Sequence, residues 1–257
     1  MKRIASIVVL AAGVSAAASD AASPACRAQS GEHVVPLVEL YTSEGCDSCP
    51  AADRWLSARF PAGTQGDAVA LAFHVDYWDR LGWKDRFAAP AFTQRQHQAM
   101  RANRSTFVYT PQVLLQGRDF RAWRSDASAP RADPTRKQRA SVRIVAEATP
   151  DSDTVVVRAD VTRARGSRGK AIVGFAYVDS GLVTQVKAGE NRGARLVHDH
   201  VARAFETRAL EAFAASYRVE LRKPAEAGEH PRIVVFVQDA DNGEVVQALG
   251  LPLAGCL

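Results

Sequence analysis

A chain of 257 residues, 47% hydrophobic, 24% charged and 7% aromatic, has enough apolar material for one large or two ordinary domains and too much for wholesale disorder. Its formal charge of +5 comes from arginines scattered among acids, as in Arg158-Ala159-Asp160, and not from a basic cluster interleaved with aromatics. That pattern predicts a well-solvated basic surface and argues against nucleic-acid binding.

At the start, Lys2 and Arg3 precede the apolar run from Ile4 to Val14, and small residues follow from Ser15 to Ser23. This is the pattern of a secretory signal peptide, so residues 1–25 are read as the leader and the start of the mature tail. The run is short of the roughly 20 residues that a spanning helix needs, and no later segment supplies them. The expected location is periplasmic or secreted, with no membrane span. In that oxidising setting Cys26, Cys46, Cys49 and Cys256 read as disulfide partners. The simplest pairing joins Cys46 to Cys49 and Cys26 to Cys256, the second as a structural clip between the chain ends. A free or lipidated Cys26 is the alternative.

Val34 to Tyr41 is a compact β-branched and apolar run that predicts a strand. The two central cysteines follow it, and good helix formers from Pro50 predict a helix from near Cys46 to about Phe60. Ala68 to Val75 is strand-like again, so residues 34–75 read as a β-α-β unit with its cysteines at the first strand-to-helix turn. Residues 76–89 read as an ordered loop, Ala91 to Arg101 as a helix, Val108 to Gly117 as a strand, and Asp119 to Trp123 as its hairpin partner. Asp133-Pro134 has the form of a helix start, with the helix expected to run to about Ala148. After Thr149-Pro150-Asp151-Ser152-Asp153, short strands are predicted at 154–162, 171–178, 217–221, 233–237 and 244–249. Asp241-Asn242-Gly243 makes the last hairpin turn. The expected domains are 33–149, α/β, and 151–257, β-rich and sandwich-like.

A thiol acts as its thiolate, and a helix N-terminus favours an anion through its free N–H groups and dipole. Spacing of three residues keeps both sulfurs on one face. Cys46 is therefore the expected nucleophile and Cys49 its resolving partner, with Glu39, in the preceding strand, as a candidate proton acceptor. Asp47 and Glu44 oppose thiolate formation. The same spacing also serves metal sites, but a structural zinc site wants a second pair, which the sequence lacks. A copper or three-ligand site using His74 is the metal alternative, and a permanent disulfide is the inert one. His74, Asp76, Tyr77 and Trp78, in "HVDYWD", are expected to wall the site. His198-Asp199-His200 suggests a metal pair without a third ligand.

The strand, CxxC at a helix start, second strand, helix and Thr110-Pro111 leading into a hairpin resemble the thioredoxin fold. The resemblance implies that Pro111 is cis and packs beside the CxxC, and that Thr110 contacts a substrate backbone. More specifically, "VELYTSEGCDSCPAADRWL", "LAFHVDYWDRLGWKDRFAAPAFTQRQ", "VYTPQVLLQG" and "GENRGARLVHDHVAR" resemble a bacterial family of secreted proteins with a thioredoxin-like domain and no assigned function. The expected function is that of an exported thiol-disulfide oxidoreductase acting on protein or small-molecule thiols and disulfides, with no cofactor. The alternatives are a non-catalytic envelope binding module and a copper or zinc metallochaperone.

Overall fold

The computed structural model describes residues 25–256 apart from 65, 67, 126–136 and 168, and is built mostly of strands. In chain order these are β1 (Cys26–Gln29), β2 (Leu37–Thr42), β3 (Val69–His74), β4 (Gln112–Leu115), β5 (Arg118–Asp119), β6 (Val142–Pro150) and β7 (Thr154–Arg163). They continue as β8 (Ala171–Ser180), β9 (Leu182–Gln185), β10 (Arg195–His198), β11 (Val201–Leu210), β12 (Ala214–Arg222), β13 (Glu229–Asp239) and β14 (Val245–Pro252). Helix α1 (Cys49–Arg59) links β2 to β3, and α2 (Pro90–Ala102) lies between β3 and β4. Short 3₁₀ turns occupy Asp76–Leu81, where a loop was expected, and Arg121–Arg124. The leader, residues 1–24, and the expected helix start at Asp133-Pro134 lie outside the described residues.

The expected thioredoxin-like α/β domain followed by an all-β domain is overturned. One eight-stranded sheet, ordered β14-β13-β8-β11-β3-β2-β4-β5, takes strands from both sides of the Thr149–Asp153 segment. The join is the parallel pairing of β11 with β3 at Val201 and Ala72, reinforced by the Ala72 N–H donating to the His200 carbonyl at 2.7 Å. β3 is buried along its whole length, and buried backbone needs partners on both of its edges. β2 supplies one edge and β11 the other, so the β-α-β unit does not close on itself.

Residues Val142 to Ala148, expected as helix, form most of β6. Val142, Ile144, Ala146 and Ala148 are buried at every second position, a period that suits a strand and no helix. β6 belongs to a second sheet, ordered β1-β6-β7-β12, which packs on β8, β11, β13 and β14. Ile144, Val157 and Val161 meet Phe175, Val235 and Leu251 in the core between them. Gly174 is required on β8, because the Phe236 ring fills the space a Cβ would take.

The first-half strands bury both faces. Val38, Leu40, Ala70 and Ala72 face α1 through Ala52 and Leu56, whereas Leu37, Tyr41, Leu71 and Phe73 face α2 through Phe92 and Ala99. Alternation along each strand then puts Thr42 and His74 on the α1 face and Glu39 on the α2 face.

Candidate functional site: the Cys46–Cys49 turn

β2 ends at Thr42, and the chain turns sharply to reach α1. The Cys46 N–H donates to the Ser43 carbonyl and the Cys49 N–H to the Cys46 carbonyl, each at 3.2 Å. Ser48 is the N-cap, and Pro50 sits in the first turn of α1, where a missing N–H costs nothing. Cys46 and Cys49 form a disulfide with Cα atoms 5.4 Å apart, and both residues are 0% exposed. A Cβ on Gly45 would stand 3.1 Å from the Trp78 Cβ, so the turn lies directly on the 3₁₀ segment.

Beneath the disulfide lies a buried cluster of acids and imidazoles. Asp53 follows Cys49 by four residues, one helical turn, and so shares its face of α1. Its carboxylate accepts from Thr42 Oγ1 at 3.2 Å and lies 3.9 Å from His198 Nδ1. Burial raises the Asp53 pKa, against the attraction of His198 and His74. The other nitrogen of His198, Nε2, is 3.3 Å from Glu44 Oε1, and Glu44 Oε2 accepts from Trp83 Nε1 at 2.8 Å. His74 Nδ1 meets Asp85 Oδ2 at 2.6 Å, and its ring centroid is 4.8 Å from that of His198. Burial alone would lower the His74 pKa, but Asp85 beside it leaves it raised. Burial would raise Asp85, yet His74 and the amides of Glu44 and Phe87 hold it below the usual carboxylate range.

A hairpin from the second half covers this turn. Asn191, between β9 and β10, donates its amide to the carbonyls of Glu44 and Cys46 at 2.9 and 2.8 Å, and Glu190 accepts from the Asp47 N–H at 3.3 Å. His198, at the end of β10, is the same hairpin's contribution to the cluster below.

The sequence-predicted residues divide. Trp78 Nε1 donates to Thr110 Oγ1 at 2.8 Å, so Thr110, Trp78 and the Gly45 turn come together, and the Thr110–Pro111 bond is cis. His74 enters the cluster. Asp76 turns away and accepts from Thr93 Oγ1 at 2.6 Å, at the start of α2. Tyr77 is partly buried, and burial raises its pKa. Glu39 stands on the opposite face of the sheet from α1, bonded to Arg95 Nε at 2.6 Å, with the guanidinium 4.8 Å from the Phe236 centroid. Cys26 and Cys256 are joined as a disulfide, Cα atoms 5.7 Å apart.

Sequence reasoning missed Asp53, Glu44 as a cluster member, Asp85, and the role of Asn191. The signal for Asp53 was present as the four-residue step from Cys49. His198 and His200 do not converge: His200 is in the left-handed region at φ 59° and its Nε2 contacts the Phe60 carbonyl at 2.5 Å. Among the described residues no group of three or more His, Cys, Asp or Glu side chains is placed to hold a metal ion.

Fold and site together define a protein of two large sheets, a small β9–β10 sheet and two disulfides, whose CxxC turn is seated on buried acids and imidazoles. The chain belongs to the family described as "Protein of unknown function (DUF1223)", matched over residues 37–238. It is similar to a crystal structure of a protein from Agrobacterium tumefaciens, 30% identical with a TM-score of 0.62, over 86% of this chain and 96% of that one. HBP35 of Porphyromonas gingivalis shares the fold, with a TM-score of 0.61 at 12% identity over 86% of this chain and 75% of that one. No curated protein matches.

Proposed function

We propose that this is an exported thiol-disulfide oxidoreductase that uses Cys46 and Cys49 as its redox pair and Asp53 as the proton acceptor for Cys49. The observation that carries this reading is the buried cluster. Placing Asp53, Glu44, Asp85, His74 and His198 out of water is costly, and a structural staple needs none of them. A carboxyl with a raised pKa one turn from Cys49 suits proton exchange with a leaving thiolate. Two disulfides fit an oxidising compartment, and no described helix is long and apolar enough to cross a membrane. Both sulfurs are buried, so the hairpin held to this turn by Asn191 and Glu190 has to lift before a partner thiolate reaches Cys46.

Equilibrating the protein in glutathione buffers and measuring the Cys46–Cys49 midpoint tests this. A value above about −300 mV that shifts in Asp53→Asn agrees with it. A pair that stays oxidised below that potential sinks it. That result would favour a second reading, a binding module with a permanent disulfide, which the complete burial of both cysteines supports.

A further inference from the structure

Beside the disulfide turn, Asp47, Ser48 and Pro50 form one wall of an open depression of about 640 Å³. Three arginines converge on it from separate elements: Arg54 from α1, Arg124 from the end of the second 3₁₀ turn, and Arg195 from β10. All three are exposed, and among the described residues none has a carboxylate partner. By contrast Arg121, close by, is held by Asp119 at 2.9 Å, and Arg203 by Asp179 at 3.1 Å. Among the described residues Asp47 is the sole acid on the lining. The depression does not end there. Trp123 and Arg124 also line a neighbouring hollow of about 350 Å³ that runs to Pro111, Tyr109 and Phe107, the last 57% exposed.

We propose that this joined track is a docking site for an extended, acidic segment of a partner polypeptide. Its occupant carries carboxylates for Arg54, Arg124 and Arg195 and apolar side chains for Tyr109 and Phe107. Charge complementarity selects the acidic partner, because three cations with no carboxylate partner among the described residues raise a positive potential over one concave patch. Extent selects a polypeptide over a small anion: the basic groups come from three elements and the aromatic ones continue past them into a second hollow. The inference rests on the thiol-disulfide reading for its consequence, since a chain held on this track passes the Cys46–Cys49 turn. It names the substrate class of that site as proteins with acidic residues flanking their cysteines.

Docking is measured without redox chemistry. The full, oxidised protein is titrated with fluorescently labelled peptides that lack cysteine and share one apolar pattern, with acidic, neutral or basic residues between. Anisotropy is expected to show the acidic peptide binding about tenfold or more tighter than the neutral one, with the preference fading as salt is added. The double variant Arg54→Glu/Arg195→Glu, checked for unchanged secondary structure by circular dichroism, is expected to reverse the preference toward the basic peptide. Equal binding of all three peptides, or an unchanged preference in the variant, overturns the proposal. Displacement of the acidic peptide by free glutarate at matched carboxylate concentration overturns the polypeptide occupant and leaves only a small-anion site. Because the peptides carry no cysteine, a negative result here leaves the midpoint measurement untouched, and a failed midpoint leaves the docking result standing.

Discussion

At the scale of the residue, His200 shows how burial converts position into pH dependence. Its N–H donates to Ser180 Oγ at 3.0 Å, and its Nε2 donates to the Phe60 carbonyl, tying the end of α1 to the start of β11. Burial lowers its pKa from the ordinary 6.5 to about 4; the Phe60 contact opposes this, Arg232 adds to it and Asp199 opposes it. The unfolded chain therefore binds this proton at a higher pH than the folded one. Stability from His200 is complete above pH 6.5 and is lost as pH falls toward 4, by roughly 3 kcal/mol. His74 has the opposite sign: its pKa is raised, so its contribution is present at low pH and lost as pH rises through the folded value. The difference between wild type and His200→Asn, which keeps a side chain tolerant of the left-handed region, isolates the first effect. Urea unfolding across this range is expected to show a flatter pH profile in the variant; parallel profiles would refute the assignment. Its place in the strand before the cysteines, on the face of Leu37 and Tyr41, made Glu39 the candidate proton acceptor. In the structure Glu39 is bonded to Arg95, whereas Asp53 lies one helical turn after Cys49 on the same face of α1, because one step along a strand changes faces whereas four steps along a helix do not.

At the scale of the element, the β9–β10 hairpin lies against the disulfide turn, and its position predicts that it limits access to the sulfurs. It forms its own two-stranded sheet, apart from the two large ones, and reaches the CxxC turn through Asn191 and Glu190. Two hydrogen bonds from one amide, worth about 1 kcal/mol each, hold the cover down. Asn191→Ala is accordingly expected to speed reduction of Cys46–Cys49 by dithiothreitol roughly tenfold, followed by thiol alkylation. A rate equal to that of wild type would show that the hairpin does not gate the site. The order β2, α1, β3, α2 was legible because apolar runs and helix formers mark each of these elements locally. β9, β10 and β11 were not read as strands. In Leu182 to Leu210 charged residues break up the apolar pattern; β9 and β10 are strands by pairing with each other, and β11 by lying between β8 and the distant β3.

At the scale of the whole molecule, the Cys26–Cys256 disulfide links residues 230 apart in sequence. β1 pairs with β6 through only four residues, with Cys26 opposite Ala148, so the covalent link secures a short edge strand. Cross-linking so long a loop restricts the unfolded chain, and removing the bond as Cys26→Ser/Cys256→Ser is expected to cost about 2–5 kcal/mol. Guanidinium unfolding measures it, and an unmoved midpoint would show that the sheets hold the ends without help. A second long-range tie is the buried Glu39–Arg95 pair, whose guanidinium lies over Phe73, Phe205 and Phe236 and so joins α2 to β2, β3, β11 and β13.

The sequence by itself determined that a cysteine pair closes the turn between a buried strand and a helix, since that rests on local spacing and periodicity. Only the tertiary structure decided that β3 pairs with β11 and makes one sheet of both halves, and that His198 and Asn191 arrive at the disulfide turn. The physical reason is that alternation records which face of a strand is buried, while the strand that satisfies its edge, and the side chains carried there, are set by backbone hydrogen bonding across more than a hundred residues.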